Sequence, residues 1–477
     1  METLVAAISK ASSIDMEESN RYEKILESFD SKSGENASCF AEASRKTRRE
    51  AHSRSPRDKE VSSVCSGVAG PVLCGYVLWI IQKSVEMGLE RLYFISRDGE
   101  LLLKIAQCVT PAFWPGRNLD LRYLLGSRQA WHLPALTANQ ETMTSWVLSY
   151  FENSSLKTAL SRVNLRFEDC QDKLTAHGFT VEDWERRLSR GDRNQAEALI
   201  RDPFIQDRMA TRAGEATEPA LGYLEQEGLF EPVRYGLVDL GWSGRTKGSL
   251  ESLLLLRGKA PAPFFFFGRR GEKSKDDNSV LHAYLYNVRD GIHQERQLPD
   301  IEALMESFCT SLDSGLVSYR REGDRFMPVY RESSTQELQA WGYQVMRDSI
   351  LGFTNNLVHC APGQGSPPRL PAATGAALLK AFWRFPTRSE ALIWGQFPFE
   401  EDLSGASRVR LIPQVKLGPP EFWRLFLHNR AVNHDTVWEG GLLAVNSRLF
   451  GLVWCTTRQL RKWAVSFCNF FLRRDDR

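Results

Sequence analysis

The 477-residue sequence lacks several features that would assign it to a functional class at once. Its formal net charge is only +2, which argues against a dedicated nucleic-acid-binding protein. Nine cysteines are scattered without a Cys-x-x-Cys pair, which argues against a zinc site and is typical of a reducing compartment. The longest apolar run, 72–81, is too short to span a bilayer.

Familiar catalytic motifs are also missing. The sequence has no Gly-x-Ser-x-Gly elbow, no Gly-x-x-x-x-Gly-Lys loop and no His-x-x-x-His pair. These absences disfavour serine hydrolases, P-loop ATPases and helical zinc sites. Residues 1–10 carry no basic segment followed by an apolar core, so we expect no signal peptide. The expected location is the cytoplasm.

What is present is the composition of a globular protein, with 42% hydrophobic and 25% charged residues. Apolar runs at 91–96, 119–125, 235–240, 262–268 and 280–286 predict strands that alternate with helical segments. This alternation predicts an α/β fold with a doubly wound, mostly parallel sheet. We expect a poorly ordered polar arm at 1–60 and an α/β domain at 61–330 with a helical insertion at 137–230. An α-rich aromatic region is expected at 331–477, ending in a basic amphipathic helix.

The most informative stretch is 235–246, Tyr-Gly-Leu-Val-Asp-Leu-Gly-Trp-Ser-Gly-Arg-Thr. An apolar strand leads to Asp239, a glycine-rich turn follows, and 247–256 has helical spacing. A strand, tight loop and helix in this order form an anion site, because loop amides and the helix N-terminus face the ligand. The residues suited to contact phosphate are Gly241, Ser243, Gly244, Arg245 and Thr246.

This stretch resembles the phosphoribosyl-diphosphate loop of type I phosphoribosyltransferases. That motif has an apolar strand, two acidic residues, two apolar residues, any residue, and Thr-Gly. Asp239 aligns with the second acid and Ser243-Gly244 with Thr-Gly, whereas Val238 replaces the first acid. The resemblance implies that Asp239 binds ribose hydroxyls and that residues 243–246 surround the 5′-phosphate.

A second strand–loop–helix unit spans 91–109, with Ser96, Arg97, Asp98 and Gly99 in its loop. Its placement is similar to that of the diphosphate loop of phosphoribosyltransferases. It also resembles the Asp-x-Asp-Gly-Thr-Leu start of haloacid-dehalogenase-like (HAD-like) phosphatases, with Asp98 as the second Asp. Ser96 stands in place of the nucleophilic Asp, and without that carboxylate the phosphoaspartyl intermediate cannot form.

The two motifs together resemble a third group. In predicted hydrolases of bacterial surface-polysaccharide loci, an uncharacterised region after the HAD-like phosphatase domain carries both motifs in this order. The resemblance covers about 65–320 and implies a role in surface-polysaccharide assembly. The sheet is therefore expected to be phosphoribosyltransferase-like or a HAD-like Rossmannoid sheet.

Three further segments carry candidate functional residues. Arg128 follows the strand at 119–125 and could contact a phosphate or form a structural salt bridge. Glu302 and Glu306 lie one helical turn apart, and Glu306 is the better candidate because it borders the apolar face. The basic amphipathic segment 458–474 could lie on an anionic membrane surface or dock on the protein.

These features predict an enzyme that binds a phosphorylated sugar or sugar diphosphate, with Mg²⁺ as the expected metal. Asp98 and Asp239 would be catalytic, and transfer would proceed by stabilising the departing diphosphate. One alternative is a HAD-like phosphatase that uses Asp98 as an acid. Another is a non-catalytic ligand-binding or scaffold protein, which Val238 and the lack of an obvious base favour.

Overall fold

Five strands form one parallel sheet at the centre of the computed structural model. They are β1 (Arg91–Ile95), β2 (Asp120–Leu124), β3 (Tyr235–Trp242), β4 (Phe264–Arg269) and β5 (Leu281–Asn287). Their order is β2-β1-β3-β4-β5, and all neighbouring pairs run parallel. The α/β class and the parallel sheet are thus confirmed, in an order common among doubly wound, Rossmann-like folds.

The structure describes residues 18–33, 38–51, 55–137, 146–148, 155–270, 281–287, 298, 301–313, 315–331, 334–361, 363, 366–400, 408–412 and 438–446. Before the insertion the helices are α1 (Arg21–Ser33), α2 (Ser38–Glu50), α3 (Pro56–Val64), α4 (Gly70–Glu86), α5 (Gly99–Phe113) and α6 (Arg128–Ala135). The next helices are α7 (Leu156–Ser161), α8 (Phe167–Ala176), α9 (Arg193–Ile200), α10 (Pro203–Gln226), α11 (Arg245–Leu256) and α12 (Ile301–Cys309). The last are α13 (Gln336–Trp341), α14 (Tyr343–Cys360), α15 (Ala372–Trp383), α16 (Arg388–Trp394) and α17 (Glu439–Val445).

Helices cover both faces of the sheet. Side chains alternate along a strand, so neighbouring residues of β1 and β4 enter different cores. Phe94 and Phe265 pack in one core with α4, α5, α12 and α14, whereas Tyr93 and Phe264 pack in the other with α6, α10 and α11. Because both faces are buried, the central strands are mostly apolar, which explains why their sequences were recognisable.

The polar arm expected at 1–60 is largely helical in the part that the structure describes. Tyr22 and Phe40, on α1 and α2, are almost fully buried in the core that also holds α4. The charges of this segment are paired, since Arg48 binds the buried Glu23 carboxylate with Nε–Oε1 at 2.8 Å. The prediction of a poorly ordered arm was wrong for 18–33 and 38–51.

A continuous helical stretch, Pro56–Glu86, is made of α3, a π-helical turn (Cys65–Ala69) and α4. By length and composition this stretch could cross a membrane, but 94% of its most apolar window is buried within the protein. Its apolar character is therefore accounted for by packing against the sheet and α14.

The insertion expected at 137–230 contains α7 to α10 in its described part. Its apolar side chains form a separate core that includes Leu160, Cys170 and Met209. One of its contacts with the rest of the protein lies near the start of α6, where Gln129 donates a hydrogen bond to the Ser161 carbonyl at 3.2 Å. This small second core therefore lies beside Arg128.

The region after 312 differs from the expectation in two ways. The structure contains a hairpin that the sequence did not predict, formed by β6 (Leu316–Glu322) and β7 (Arg325–Tyr330). Tyr319 of this hairpin stacks on Tyr223 of α10, with the ring centroids 4.4 Å apart. The later helices and the short hairpin β8 (Pro398–Glu400)–β9 (Arg408–Arg410) are not a separate unit, because Phe382 and Trp394 share the core of α4. The predicted helix at 458–474 lies outside the described residues.

Candidate functional site

Strand order defines a crevice at one edge of the sheet. The chain passes from β1 outward to β2 on one side, whereas β3 lies on the other side of β1. Parallel sheets bind ligands at the carboxyl ends of the strands where the order reverses. The loops after β1 and β3, which carry the two sequence motifs, border this point. The structure therefore brings together the two loops that the sequence singled out.

In the β1 loop, Asp98 occupies the position before α5 and makes no capping hydrogen bond. Arg97 forms an ion pair with Glu400 of β8. The Ser96 hydroxyl donates to the Gly126 carbonyl at 2.8 Å and accepts from the Gly126 amide at 3.0 Å. Ser96 is a phosphate-binding candidate from sequence, and in the structure its hydroxyl joins the β1 and β2 loops.

Gly99 also has a packing role that the sequence did not reveal. It is buried at the start of α5, where a Cβ atom would meet the carbonyl carbon of Phe94 at 2.7 Å. The absence of a side chain lets α5 begin directly against β1, and this close approach carries Asp98 to the crevice.

In the β3 loop, the strand continues three residues beyond Asp239 and ends at Trp242. Gly241 is therefore a strand residue, paired with Gly268, and a Cβ atom there would meet the Gly268 carbonyl oxygen at 2.3 Å. The sequence placed Gly241 in the phosphate loop, whereas the structure shows it at the end of the strand, where close strand packing requires a glycine.

The loop proper consists of Ser243 and Gly244. Gly244 has φ +78° and directly precedes α11, without a side-chain cap on the helix. Ser243 and Arg245 are exposed and Thr246 is half-buried. Within the described residues these three side chains make no hydrogen bond or ion pair. The first turn of α11 therefore presents amide, hydroxyl and guanidinium donors that can bind an anion.

A third carboxylate reaches the crevice from α12. The Glu306 carboxyl lies near those of Asp98 and Asp239. Glu302 instead forms an ion pair with Arg270, with Nε and Oε1 3.1 Å apart. The three site carboxylates remain partly exposed although protein surrounds them closely. Glu306 was a candidate from sequence, and the structure places it with the two catalytic candidates.

These carboxyl groups disfavour each other's ionisation. Burial raises the pKa of Asp98 well above its usual value, and the Glu306 and Asp239 charges raise it further. Burial raises the pKa of Asp239 to about 6, although the Leu240 amide, Arg128 and the Gly241 amide lower it. Burial also raises the pKa of Glu306, against the charges of Arg128 and Arg97. A cation or a hydroxyl donor from a ligand would relieve this repulsion.

Arg128 faces these carboxylates from the start of α6. It contributes to the electrostatics of Asp98, Asp239 and Glu306, yet it forms no ion pair or hydrogen bond with any described residue. Of the two roles expected for Arg128, the structural salt bridge is therefore absent from the described part of the chain.

Several residues of the crevice had no recognisable sequence signal. The Trp242 indole N–H lies near the Glu306 carboxyl and favours its ionised form, without reaching hydrogen-bond geometry. Glu400 comes from a distant hairpin, and Arg347 of α14 is ion-paired with Glu100 beside Asp98. Each depends on a contact between segments far apart in sequence, so neither spacing nor composition could reveal it.

The site residues are compatible with Mg²⁺ if the ligand supplies part of the coordination. No group of three or more His, Cys, Asp or Glu residues in the described segments is arranged to hold a metal on its own. Mg²⁺ commonly takes one or two carboxylates together with substrate phosphates and water. Asp98, beside an anion-binding loop, fits that pattern.

Comparison with known proteins adds no assignment, since no family model and no curated protein matches this sequence. The chemistry must be inferred from the crevice itself. That crevice combines carboxylates suited to hydroxyls or a metal with arginine and helix-terminal donors suited to phosphate.

Proposed function

We propose that this protein is an enzyme that binds a phosphorylated sugar or sugar diphosphate and transfers its glycosyl or phosphoribosyl group. The main support is the placement of the two motif loops on either side of the strand-order reversal. Asp239 would bind ribose-like hydroxyls, and Ser243 to Thr246 would bind a phosphate. Asp98 and Arg97 would bind the diphosphate or its metal.

Catalysis would depend on positioning and on stabilising the departing diphosphate. Mg²⁺, when bound with the substrate, would neutralise charge on the leaving diphosphate. The protein would contribute the nearby guanidinium groups, which act on developing negative charge without reorganising. The resemblance to a region encoded in bacterial surface-polysaccharide loci supports a cytoplasmic role in polysaccharide assembly.

Calorimetric titration of phosphoribosyl diphosphate with Mg²⁺ tests this proposal. We expect wild type to bind with a Kd in the micromolar range, and Asp239→Asn to weaken binding by about tenfold or more, which is at least about 1.4 kcal/mol. Glu225→Gln is a matched control, because this exposed carboxylate lies near the end of α10, away from the site. Absence of binding by folded wild-type protein would overturn the proposal.

The same samples separate transfer from hydrolysis. Asp98, with its raised pKa, could donate a proton to a leaving oxygen, and this observation favours the phosphatase alternative. Phosphorus NMR of the titrated ligand would detect released orthophosphate in the absence of an acceptor. Rapid release that is lost in Asp98→Asn would favour hydrolysis, whereas stable bound ligand would favour transfer to an acceptor.

A further inference from the structure

One ion pair joins the crevice to a distant part of the chain. Arg97 of the β1 loop pairs through Nη1 with the carboxylate of Glu400, which lies 303 residues later at the end of β8. The Glu400 side chain is 18% exposed, whereas that of Arg97 is 41% exposed. The pair therefore lies at the border of the crevice, where a solute can reach the guanidinium group.

The hairpin that carries Glu400 is anchored in the main core. Phe397, directly before β8, is 1% exposed and packs edge-on against Trp341 of α13, with the ring centroids 4.8 Å apart. After β9, the Ile412 amide donates a hydrogen bond to the Gly395 carbonyl at 3.0 Å. These contacts hold the backbone on both sides of the hairpin. The Glu400 carboxylate can therefore leave the guanidinium by rotation of its side chain alone.

Arg97 also interacts with the carboxylates of the crevice. Burial lowers the pKa of Arg97, but the charges of Glu400, Asp98 and Glu306 raise it above its usual value. Among the described residues, Glu400 contacts Arg97 directly, whereas Asp98 and Glu306 act on it at longer range. The guanidinium group therefore stands between the hairpin and the crevice, with its direct contact made to the hairpin.

This ion pair bears on how the crevice binds a phosphoryl group. Arg97 is one of the groups proposed to bind the diphosphate or its metal, yet it already holds a carboxylate. Carboxylate and phosphoryl oxygens match the same fork of guanidinium N–H donors, so the two groups bind in the same manner. A phosphoryl dianion carries the larger charge and attracts the guanidinium more strongly than a carboxylate does.

We propose that Glu400 occupies the anion-binding position of Arg97 in the free protein and is displaced from it when a phosphoryl group binds. Glu400 is thus an internal competitor of the ligand, built into the hairpin β8–β9. The affinity that the ligand gains at Arg97 is reduced by the free energy of the Arg97–Glu400 pair. Removing the Glu400 charge should therefore strengthen phosphate binding, whereas removing a residue that positions Arg97 would weaken it.

This inference deepens the proposed function and rests on it for the phosphoryl ligand. The test is calorimetric titration of orthophosphate, and separately of phosphoribosyl diphosphate with Mg²⁺, into full-length wild type and Glu400→Gln. Loss of a partly exposed ion pair should tighten binding of both probes at least about threefold. A smaller gain, or weaker binding, would overturn the exchange.

Glu322→Gln is the matched control for the loss of a hairpin carboxylate. Glu322 also ends a hairpin strand, β6, and pairs with an arginine, Arg320, at 2.6 Å. Its hairpin contacts Gln226 at the end of α10, away from the crevice. Binding should equal that of wild type. An equal gain in both variants would mean that lower negative charge anywhere on the protein strengthens anion binding, which would overturn the role of Glu400.

A double variant separates exchange from simple repulsion between Glu400 and the ligand. Arg97→Gln removes the guanidinium group for which the carboxylate and the phosphoryl group compete. In the Arg97→Gln background, the gain caused by Glu400→Gln should therefore fall below about twofold. A gain of twofold or more would mean that Glu400 repels the ligand without acting through Arg97, and the exchange would be wrong.

Arg97 can also be followed without any titration. Phenylglyoxal modifies accessible guanidinium groups, and a paired carboxylate slows the reaction. Peptide mass spectrometry should show faster modification of Arg97 in Glu400→Gln than in wild type, and orthophosphate should slow it again. Arg257, which pairs with Glu218 beyond the far end of α11, is the internal reference. Equal Arg97 rates in the two proteins would overturn the proposal.

The outcomes distinguish the exchange from the broader function. If phosphoribosyl diphosphate binds to wild type but Glu400→Gln brings no gain, the exchange is wrong and the proposed function stands. If orthophosphate binds more tightly to Glu400→Gln and protects Arg97, but phosphoribosyl diphosphate does not bind, the exchange stands and the sugar proposal fails. Circular dichroism of each variant confirms folding before titration.

Discussion

The Asp239 side chain lies where its charge is disfavoured. It is largely surrounded by protein, faces the Glu306 carboxylate, and is only partly offset by Arg128 and two amides. A carboxylate kept in such a setting is typical of a binding or catalytic site, where stability is exchanged for function. The same logic applies to Asp98 and Glu306, whose pKa values are also raised.

This setting predicts a pH-dependent gain in stability for Asp239→Asn. The pKa of Asp239 is raised from 3.8 to about 6, so the folded state favours the protonated carboxyl group. The contribution of this group to the unfolding free energy is therefore complete below about pH 4 and is lost as the pH rises through 6. Relative to wild type, Asp239→Asn should gain up to about 3 kcal/mol of unfolding free energy between pH 4 and pH 8. Urea denaturation at both pH values measures this difference.

The comparison with Glu225→Gln separates this effect from general charge removal. Glu225 is exposed, and its replacement should change the unfolding free energy equally at both pH values. An Asp239→Asn protein that is destabilised to the same extent at pH 4 and pH 8 would contradict the prediction. A stable variant also ensures that any loss of sugar-diphosphate binding is not caused by unfolding.

Sequence reasoning located the charged residues of the crevice better than their small neighbours. Asp98 and Asp239 were identifiable because each follows a buried apolar strand, and such strand ends meet at one edge of a parallel sheet. Ser96 and Gly241 have packing roles that the sequence did not reveal, because a serine or glycine in a loop motif can contact phosphate or pack against a neighbouring strand. These packing roles depend on the positions of Gly126 and Gly268, which no local pattern encodes.

At the scale of elements, α4 contacts the backbone of two neighbouring strands. The Tyr76 hydroxyl lies 2.8 Å from the carbonyl oxygens of both Asp239 and Phe265, and can donate to either. The ring itself packs edge-on against Phe267 at 5.4 Å. One side chain of the buried helix therefore holds β3 and β4 together beside the candidate site.

Tyr76→Phe should lower the unfolding free energy by about 1–3 kcal/mol, because the ring remains while the donor to two buried carbonyls is lost. Tyr284→Phe is a matched control from the same aromatic cluster, with a single hydrogen bond to the Leu370 carbonyl at 2.9 Å. We expect the control to cost less, since Tyr284 is only half-buried. Equal costs in urea denaturation would argue against a special role for Tyr76.

Strands with both faces buried could be predicted, whereas the hairpin β6–β7 could not. Every residue of β4 is buried, so its apolar run is unmistakable. In β6 only Leu316 and Tyr319 are buried, and the charged residues after Tyr319 face solvent. Its pairing with β7 and its stacking on Tyr223 depend on tertiary contacts that no local pattern encodes.

At the scale of the whole molecule, distant segments share one core. Tyr22 of α1 bonds Glu390 of α16 at 2.5 Å, and Thr47 of α2 accepts a hydrogen bond from Asn356 of α14 at 3.0 Å. The polar composition of 18–51 suggested disorder because its apolar residues are few. Those few are buried and its charges are paired, so composition alone misjudged this segment.

The insertion is a partial exception, because its described helices share a second core with Leu133 and Leu136, whereas the end of α10 packs in the core of the sheet. Structural units with separate cores can open locally without global unfolding. The contact between Gln129 and Ser161 places this unit next to Arg128, a residue of the crevice. An insertion of this kind could act as a lid over the proposed ligand.

Two leucines allow a matched test of this independence. Leu160 lies in the core of the insertion and Leu357 lies in the main core, and both are fully buried. Each Leu→Ala change should cost about 2–5 kcal/mol. Hydrogen-exchange mass spectrometry should show faster exchange only within about 156–213 for Leu160→Ala, and faster exchange across β1, β3 and α14 for Leu357→Ala. Equal loss of protection at β3 in both variants would mean that the insertion unfolds only with the whole protein, and a lid that opens by itself would then be excluded.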